Sequence, residues 1–484
     1  MKKIERDNLK SRVASLLKSV GTALSSVNAA TDESTHVAKP EQAKELDQIG
    51  LFMTLMHEPY SKEAMAFTAR LVGEMKHSSR GPKRAAQRAL GMIAADLMRA
   101  LREGPLTYLY RPVGAGAFTD GVVTYRPFTH AYKALDAQGM LIVEPGVIDF
   151  APGLKGKATR FHPTPAMVSL AAEFGIDAAE FDKHFRPVSQ RPKVRHPIRL
   201  RASTKRQYGA HGLKIVGKRM AVDHADPVVI AYARQVDEIN AAIGNTPISA
   251  PHIGFRRVFN QGDVPGVHYD RGGRLYSIGG GYQQLSGDER SRMTVDGEPV
   301  VEWDISSSHL TIAMMMLGYP VPATGDLYAV PGVPRAIVKL YVNASLGNGK
   351  PIGKWPSDAV KGYAKPDLPK KPNKMKQSII EQGYPYSGDL LADWPIMLLK
   401  KEVLTCYPVL GAIADNGIKW DVLQFRESCV VVNAVHELCT IHGVVALPVH
   451  DSIICKKSEA SITHDVLLRH FKAIVGIEPT LKCK

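Results

Sequence analysis

Hydrophobic spacing divides the chain before any motif is considered. Leu9, Val13, Leu16 and Leu17 recur at helical intervals. A polar break covers residues 28–44, and residues 51–75 resume the pattern. Residues 1–79 therefore read as a helical segment whose default role is packing or partner binding. The next helix is expected over residues 85–102, with Leu90, Ile93, Ala94, Leu97, Met98 and Leu101 as its apolar face. Another is expected over 126–138, with Phe128, Ala131, Tyr132 and Leu135 inward and Arg126, His130 and Lys133 outward. Gly139 then stands where a helix ends on a left-handed residue. Two strands follow, residues 140–144 and 158–162, around a loop carrying Lys155 and Lys157. Residues 181–250 begin as a Pro- and Arg-rich stretch, either a solvated linker or an arm that tracks phosphates, and end in a helix over 228–243.

In the second half, a short apolar run from Glu298 ends on Asp304, passes through Ser306, Ser307 and Ser308, and continues into a helix over 310–317. That is a strand that delivers a carboxylate and turns into a helix. Residues 444–456 place two apolar arms around His450-Asp451-Ser452, the pattern of a hairpin with a carboxylate at its tip. Two carboxylates on adjacent strands can hold two divalent cations roughly 4 Å apart, the arrangement for in-line nucleotidyl transfer. Arg335, Lys339 and Asn343 lie four apart, hence on one helix face, and two cations there suit a triphosphate. Asp270-Arg-Gly-Gly-Arg274 pairs glycines, which permit close backbone approach, with an arginine that can reach a phosphate or base edge. Gln283, Gln284 and Arg290 follow. A helix over 424–438 carries Glu427, placed to support the hairpin or contact a primer strand, and Ser458 is the expected cap of one more helix.

Charge sharpens this picture. The 484 residues carry a net charge of +15, and a surplus of that size points to a polyanion, nucleic acid first. The five cysteines show no C-x-x-C spacing and read as free thiols in a reducing compartment. With no secretory pattern and no membrane-length apolar run, a cytoplasmic protein without a membrane partner is expected. No G-x-x-x-x-G-K-[ST] loop is present, which argues against a P-loop motor. Each feature has a plainer reading. Asp304 can cap a helix, His450-Asp451-Ser452 can be a turn, and Arg335 with Lys339 can be a solvated face.

Taken in order, these segments resemble the palm and fingers of the superfamily joining family A DNA polymerases to single-subunit, bacteriophage-type RNA polymerases. Asp304-x-Ser306 is similar to motif A, Arg335-x-x-x-Lys339 to motif B and His450-Asp451-Ser452 to motif C. Gly273-Arg274-Leu275 with Gln284 and Arg290 is similar to the segment that holds the template–primer. The resemblance covers residues 251–484. It implies an α+β chain with a right-hand polymerase palm, an antiparallel sheet backed by helices, and helical fingers. Residues 80–180, ordered helix, recognition-like helix, strand, basic wing, strand, resemble a winged-helix DNA-binding domain; a winged helix used only for packing is the alternative.

The resemblance implies a template-directed nucleotidyltransferase. Asp304 and Asp451 would be the catalytic residues and the ligands of two Mg²⁺ ions, with Mn²⁺ as a substitute. Arg335, Lys339, His309 and Asn343 would bind the nucleoside triphosphate. Arg274, Gln284, Arg290, His450, Glu427, Lys133 and Arg126 would contact a DNA or RNA template. Two departures stand out. Where family motif B ends in Tyr-Gly, this chain reads Ala344-Ser-Leu-Gly347, and the sugar-gate position carries His309 where the family has glutamate or glycine. Ser452 and the Asp270-x-x-Gly-Arg274-x-Tyr276 pattern favour ribonucleotides, with a family A-like DNA polymerase as the alternative. A non-catalytic winged-helix replication or regulatory protein is the further alternative.

Overall fold

The computed structural model describes residues 50–75, 83–118, 121–146, 157–188, 193–206, 214–215, 217–244, 246–250, 252–278, 281–322, 325–364 and 373–484. The chain is mixed α/β with small sheets. It divides into two compact units. One comprises the chain up to Arg195 with residues 251–254 and 277–282, and the other the remainder. The expected segment 1–49 and Lys155 lie outside the described residues.

In the first unit, strands β1 (Gly50–Phe52), β3 (Tyr108–Arg111), β5 (Thr159–Pro163) and β4 (Leu141–Glu144) form one sheet in that order. β1 runs parallel to β3, while β3 and β4 both run antiparallel to β5. A second pair joins β2 (His57–Pro59) to β6 (Phe185–Pro187). Helices α1 (Lys62–Gly73), α2 (Lys83–Glu103), α3 (Tyr125–Ala137) and α4 (Pro165–Glu173) supply most of the remaining core. The periodicity reading of α2 and α3 holds: Leu90, Ile93, Ala94, Leu97, Met98, Leu101, Phe128, Ala131 and Leu135 are all buried. Gly139 adopts φ +70°, with Gly139 N–H donating to Asp136 O and Met140 N–H to Leu135 O, which closes the helix end in the expected way.

One expectation fails here. Residues 51–75 are not one helix, because β1 and β2 precede α1. Leu55 sits at φ +57°, and the buried Asp96 carboxylate accepts from Leu55 N–H at 2.7 Å and from the Thr54 hydroxyl. A tertiary carboxylate thus satisfies backbone that a helix would otherwise have paired. The expected boundary at residue 79 also falls inside a shared core, since Met53, Phe67 and Leu71 join the same cluster as Leu90 and Phe128.

The second unit holds two more sheets. β7 (Ile198–Arg201) lies between β10 (Arg219–Met220) and β11 (Gly254–Phe259), and β12 (Gly272–Ile278) flanks β11; β8 (Lys205–Arg206) and β9 (Lys214–Ile215) form a separate ribbon. The sheet that matters for chemistry is antiparallel. Its strands are β13 (Thr294–Val295), β14 (Glu298–Ile305), β15 (Leu447–Val449), β16 (Ser452–Lys456) and β17 (Leu481–Cys483). β16 pairs one edge of β14, while β13 and β17 share the other edge at opposite ends. Helix α5 (Pro227–Ile243) starts as expected, with the Asp226 carboxylate accepting from Val228 N–H. α6 (Ser308–Met316) follows β14, α7 (Arg335–Asn348) ends on Gly349 at φ +72°, α8 (Trp420–Thr440) precedes the β15–β16 hairpin and α9 (Ala460–Val475) follows it. α8 packs on α5, α6 and α9, burying Leu423, Val430, Ala434 and Leu438 at helical spacing. Ser458 does not cap α9. Its backbone N–H and hydroxyl both donate to Glu298 instead, tying the hairpin arm to β14.

Candidate active site

The alternation of β14 decides which of its acids meet. Glu302 and Asp304 share a face, and antiparallel pairing puts Ser452 directly opposite Asp304. The β15–β16 turn takes His450 at φ +56°, so Asp451 falls at the very tip, one residue beyond Asp304's partner. Ile305 N–H donates to Asp451 O at 3.1 Å, clamping the tip to the end of β14. The expected strand-end aspartate and hairpin aspartate are therefore neighbours. Burial pushes the Asp451 carboxyl up to about 6, and the charges of Glu427 and Asp304 push in the same direction.

Both carboxylates open onto a cleft of about 910 Å³. Arg335, Lys339 and Asn343 line it from α7, so the three residues spaced four apart do present one face. Ser306, Ser307, Ser308 and His309 line it from the start of α6. Ser307 takes a left-handed conformation, and no side chain caps the helix. Ser308 is 3% exposed, and neither its hydroxyl nor that of Ser306 has a hydrogen-bond partner among the described residues. An uncapped helix start with orphan hydroxyls suits an anion.

Behind His309 lies a charge network that spans the unit. Glu427 is 1% exposed. Arg274 Nε donates to its Oε1 at 3.1 Å, with Nη2 on the same oxygen, and His309 Nε2 lies 3.2 Å from Oε2. Burial alone would raise the Glu427 carboxyl; His309 and Arg274 outweigh it and hold it well below the usual carboxylate range. Glu427 joins β12 to the start of α6 through α8 and takes the Arg274 guanidinium as its partner, and both residues also line the cleft. The glycines before Arg274 serve the same contact. Gly273 sits at φ +77°, and a Cβ there would fall 2.9 Å from Ser428 Oγ and 3.2 Å from the Phe425 ring on α8.

Arg290 is likewise committed. It donates to both oxygens of the buried Glu302, at 2.8 and 3.0 Å, and Ser452 Oγ donates to Oε1 of the same residue at 2.6 Å. Gln284 is exposed and is not among the cleft residues, and His450 stands exposed at the hairpin tip. Arg126 and Lys133 are exposed on α3 of the first unit, where His130 is half-buried.

Tyr328, Lys482 and Lys484 line the cleft without a role in the sequence reading, and Asp326 acts on it from outside the lining through Arg335. Asp326 pairs with Arg335 through both its oxygens, Oδ1 accepting from Nη2 at 3.0 Å. Tyr328 is 4% exposed, shares a hydrogen bond with Ser307 and stacks beneath Arg335 and Lys339, at 5.3 and 5.8 Å from its ring centre. Lys482 and Lys484 enter from β17, and Lys484 Nζ lies 3.0 Å from Asp304 Oδ1. Only the last pair carried a sequence signal: Leu481-Lys-Cys-Lys484 puts two lysines on one face of a strand.

The donor set bears on which metal would fit. No group of three or more His, Cys, Asp or Glu side chains converges among the described residues, so a closed, all-protein cage is absent from them. Two hard carboxylates beside the cationic side chains of Arg335 and Lys339 suit Mg²⁺, which is commonly held by one or two carboxylates plus substrate phosphates and water. Among the described residues no helix is long and apolar enough to cross a membrane. No protein-family model matches the chain, and no curated protein matches it.

Proposed function

We propose that the chain is a template-directed nucleotidyltransferase that joins a nucleoside triphosphate to a nucleic-acid end. One observation carries the reading: Asp304 and Asp451 meet at the end of an antiparallel strand pair, in the same cleft as the Arg335–Lys339–Asn343 face. In this reading the β13–β17 sheet with α6, α8 and α9 is a palm, and residues 335–364 and 373–406 belong to the fingers. Asp304 and Asp451 would hold Mg²⁺, or Mn²⁺ in its place. When bound, the ions lower the pKa of the attacking hydroxyl and neutralise charge on the phosphorus. Arg335 and Lys339 take the triphosphate charge, and the free amides of α6 with the Ser308 hydroxyl add donors aimed at the same phosphates. His309, held from behind by Glu427, meets the sugar. A histidine can hydrogen-bond a 2′-hydroxyl, which favours ribonucleotides; deoxynucleotide use remains the alternative substrate class.

The first unit supports the same reading through its connections. Helix α2, strand β3, helix α3, then β4 and β5 with β3 paired to β5 is the order expected of a winged helix and supports that reading of the first unit. Its exposed Arg126 and Lys133 lie on the helix that such modules lay in a major groove. The same feature favours a second reading, a non-catalytic nucleic-acid-binding protein. Metal-dependent incorporation of labelled nucleotide on a defined template separates the two. Asp304→Asn and Asp451→Asn should each abolish incorporation while leaving template binding nearly intact, because duplex affinity comes mostly from phosphate contacts. Near wild-type turnover in either variant refutes the assignment.

A further inference from the structure

Strand β17 adds something the nucleotidyl-transfer reading does not require: a lysine on the carboxylate proposed to hold metal. The register explains how it gets there. Lys482 lies opposite Asp304, and Glu302 and Lys484 exchange both backbone hydrogen bonds, at 3.1 and 2.9 Å. With a period of two, Lys482, Lys484, Glu302 and Asp304 all fall on one face of the sheet. The Lys484 ammonium thus has two acids in reach. Glu302 is already filled by Arg290 and Ser452. Asp304 is not, and among the described residues Lys484 is its one ion-pair partner. The ammonium sits 3.0 Å from Oδ1, on an oxygen that a divalent cation would also need, and the Lys484 side chain is 54% exposed.

We propose that Lys484 is an internal counter-ion that occupies Asp304 until a divalent cation displaces it, and that it thereby sets the metal affinity of the cleft. The proposal rests on the nucleotidyl-transfer reading only for the metal site. A cation and a divalent ion cannot share one carboxylate oxygen without repulsion, so metal entry must move the ammonium. The move is easy because Lys484 has a long stem and an exposed head, and a half-exposed pair holds its partner weakly. Once displaced, the ammonium stays beside Lys482 on the cleft wall, where an anionic substrate meets both. Without substrate, the lysine keeps two adjacent carboxylates from facing each other unscreened.

The test uses the full chain without nucleotide and reads bound Mn²⁺ by the loss of its free-ion electron paramagnetic resonance signal. Four proteins are compared: wild type, Lys484→Gln, Lys484→Arg and Asp304→Asn. Lys484→Gln should bind Mn²⁺ about three- to tenfold more tightly than wild type, combining the lost pair with the lost repulsion. Lys484→Arg keeps the charge and should stay within about twofold of wild type, which separates a charge effect from a disturbed strand. Asp304→Asn should lose the site. Equal or weaker Mn²⁺ binding by Lys484→Gln, with the site still lost in Asp304→Asn, overturns the counter-ion role and leaves the metal site standing. Mn²⁺ binding that does not depend on Asp304 in any variant overturns both.

Discussion

Replacing Asp451 by asparagine should make the protein more stable while removing its proposed chemistry. Burial, with Glu427 and Asp304 adding to it, raises this carboxyl from 3.8 to about 6. A raised acid means the folded state binds the proton more tightly than the unfolded one. Stability is then highest below pH 3.8, falls as pH rises from there to about 6, and carries the full cost above that. Two pH units at about 1.36 kcal/mol each put the cost at roughly 3 kcal/mol at neutral pH. An amide of the same shape cannot ionise, so the cost disappears. At roughly 2–4 °C per kcal/mol, Tm should rise by roughly 6–12 °C. The assay is calorimetric unfolding in chelator, wild type against Asp451→Asn, from pH 4 to pH 8. Taking the difference cancels the acids that do not interact with Asp451; Glu427 and Asp304 do interact with it, so the gap reads the three acids together. The gap should be largest at pH 8 and close by about pH 4. Magnesium should then raise the wild-type Tm and leave the variant unchanged. A variant no more stable than wild type at pH 8, or a gap that does not depend on pH, refutes the reasoning.

Glu427→Gln should act in the opposite direction. Arg274 and His309 lose their buried counter-charge, and breaking such a pair costs about 3–5 kcal/mol, read as a lower denaturation midpoint in urea; an unchanged midpoint would mean the network contributes nothing. Asp326→Asn should free Arg335 and tighten nucleotide binding by about two- to fivefold in a fluorescent-nucleotide titration, since the displaced pair is partly exposed. Weaker binding would show that Asp326 orients Arg335 and does not compete for it. Arg126→Ala combined with Lys133→Ala should weaken duplex binding evenly across sequences and lower the salt slope by about 2, and a slope that does not change would assign α3 to packing.

Much of the cleft could be read along the chain because it depends on local periods. The strand period brings Asp304 to the end of β14, the turn chemistry of His450-Asp451-Ser452 puts a carboxylate at a hairpin tip, and the helical period aligns Arg335, Lys339 and Asn343. The failures share one cause. Residues 51–75 follow a helical rhythm, yet the buried Asp96, some forty positions away, holds Thr54 and Leu55 in irregular chain, with Leu55 left-handed at φ +57°. Spacing reports which face is apolar; it does not report which distant side chain satisfies a backbone group.

The arginines show where that limit falls. Arg274 and Arg290 both sit in glycine- or glutamine-rich surroundings that invite a phosphate, and a surplus of basic residues strengthens the invitation. Each is instead matched to an acid far along the chain: Arg274 to Glu427, 153 positions away, and Arg290 to Glu302, 12 away. Both acids are buried, and a buried carboxylate demands a cation. The demand is visible only once burial is known. Glu427 gives no warning, because an acid in an α8 segment of mixed polarity can face either way until α5, α6 and α9 close around it. The consequence reaches the chemistry. With Arg274 and His309 tied to Glu427, the cations free to meet a polyanion in the cleft are those with exposed or weakly held partners: Lys339, Lys482, Arg335 behind its Asp326 latch, and Lys484 behind Asp304. Internal acids hold two of these four, and under the proposed function substrate or metal would release them, so the cleft can carry strong positive potential without leaving it unscreened at rest.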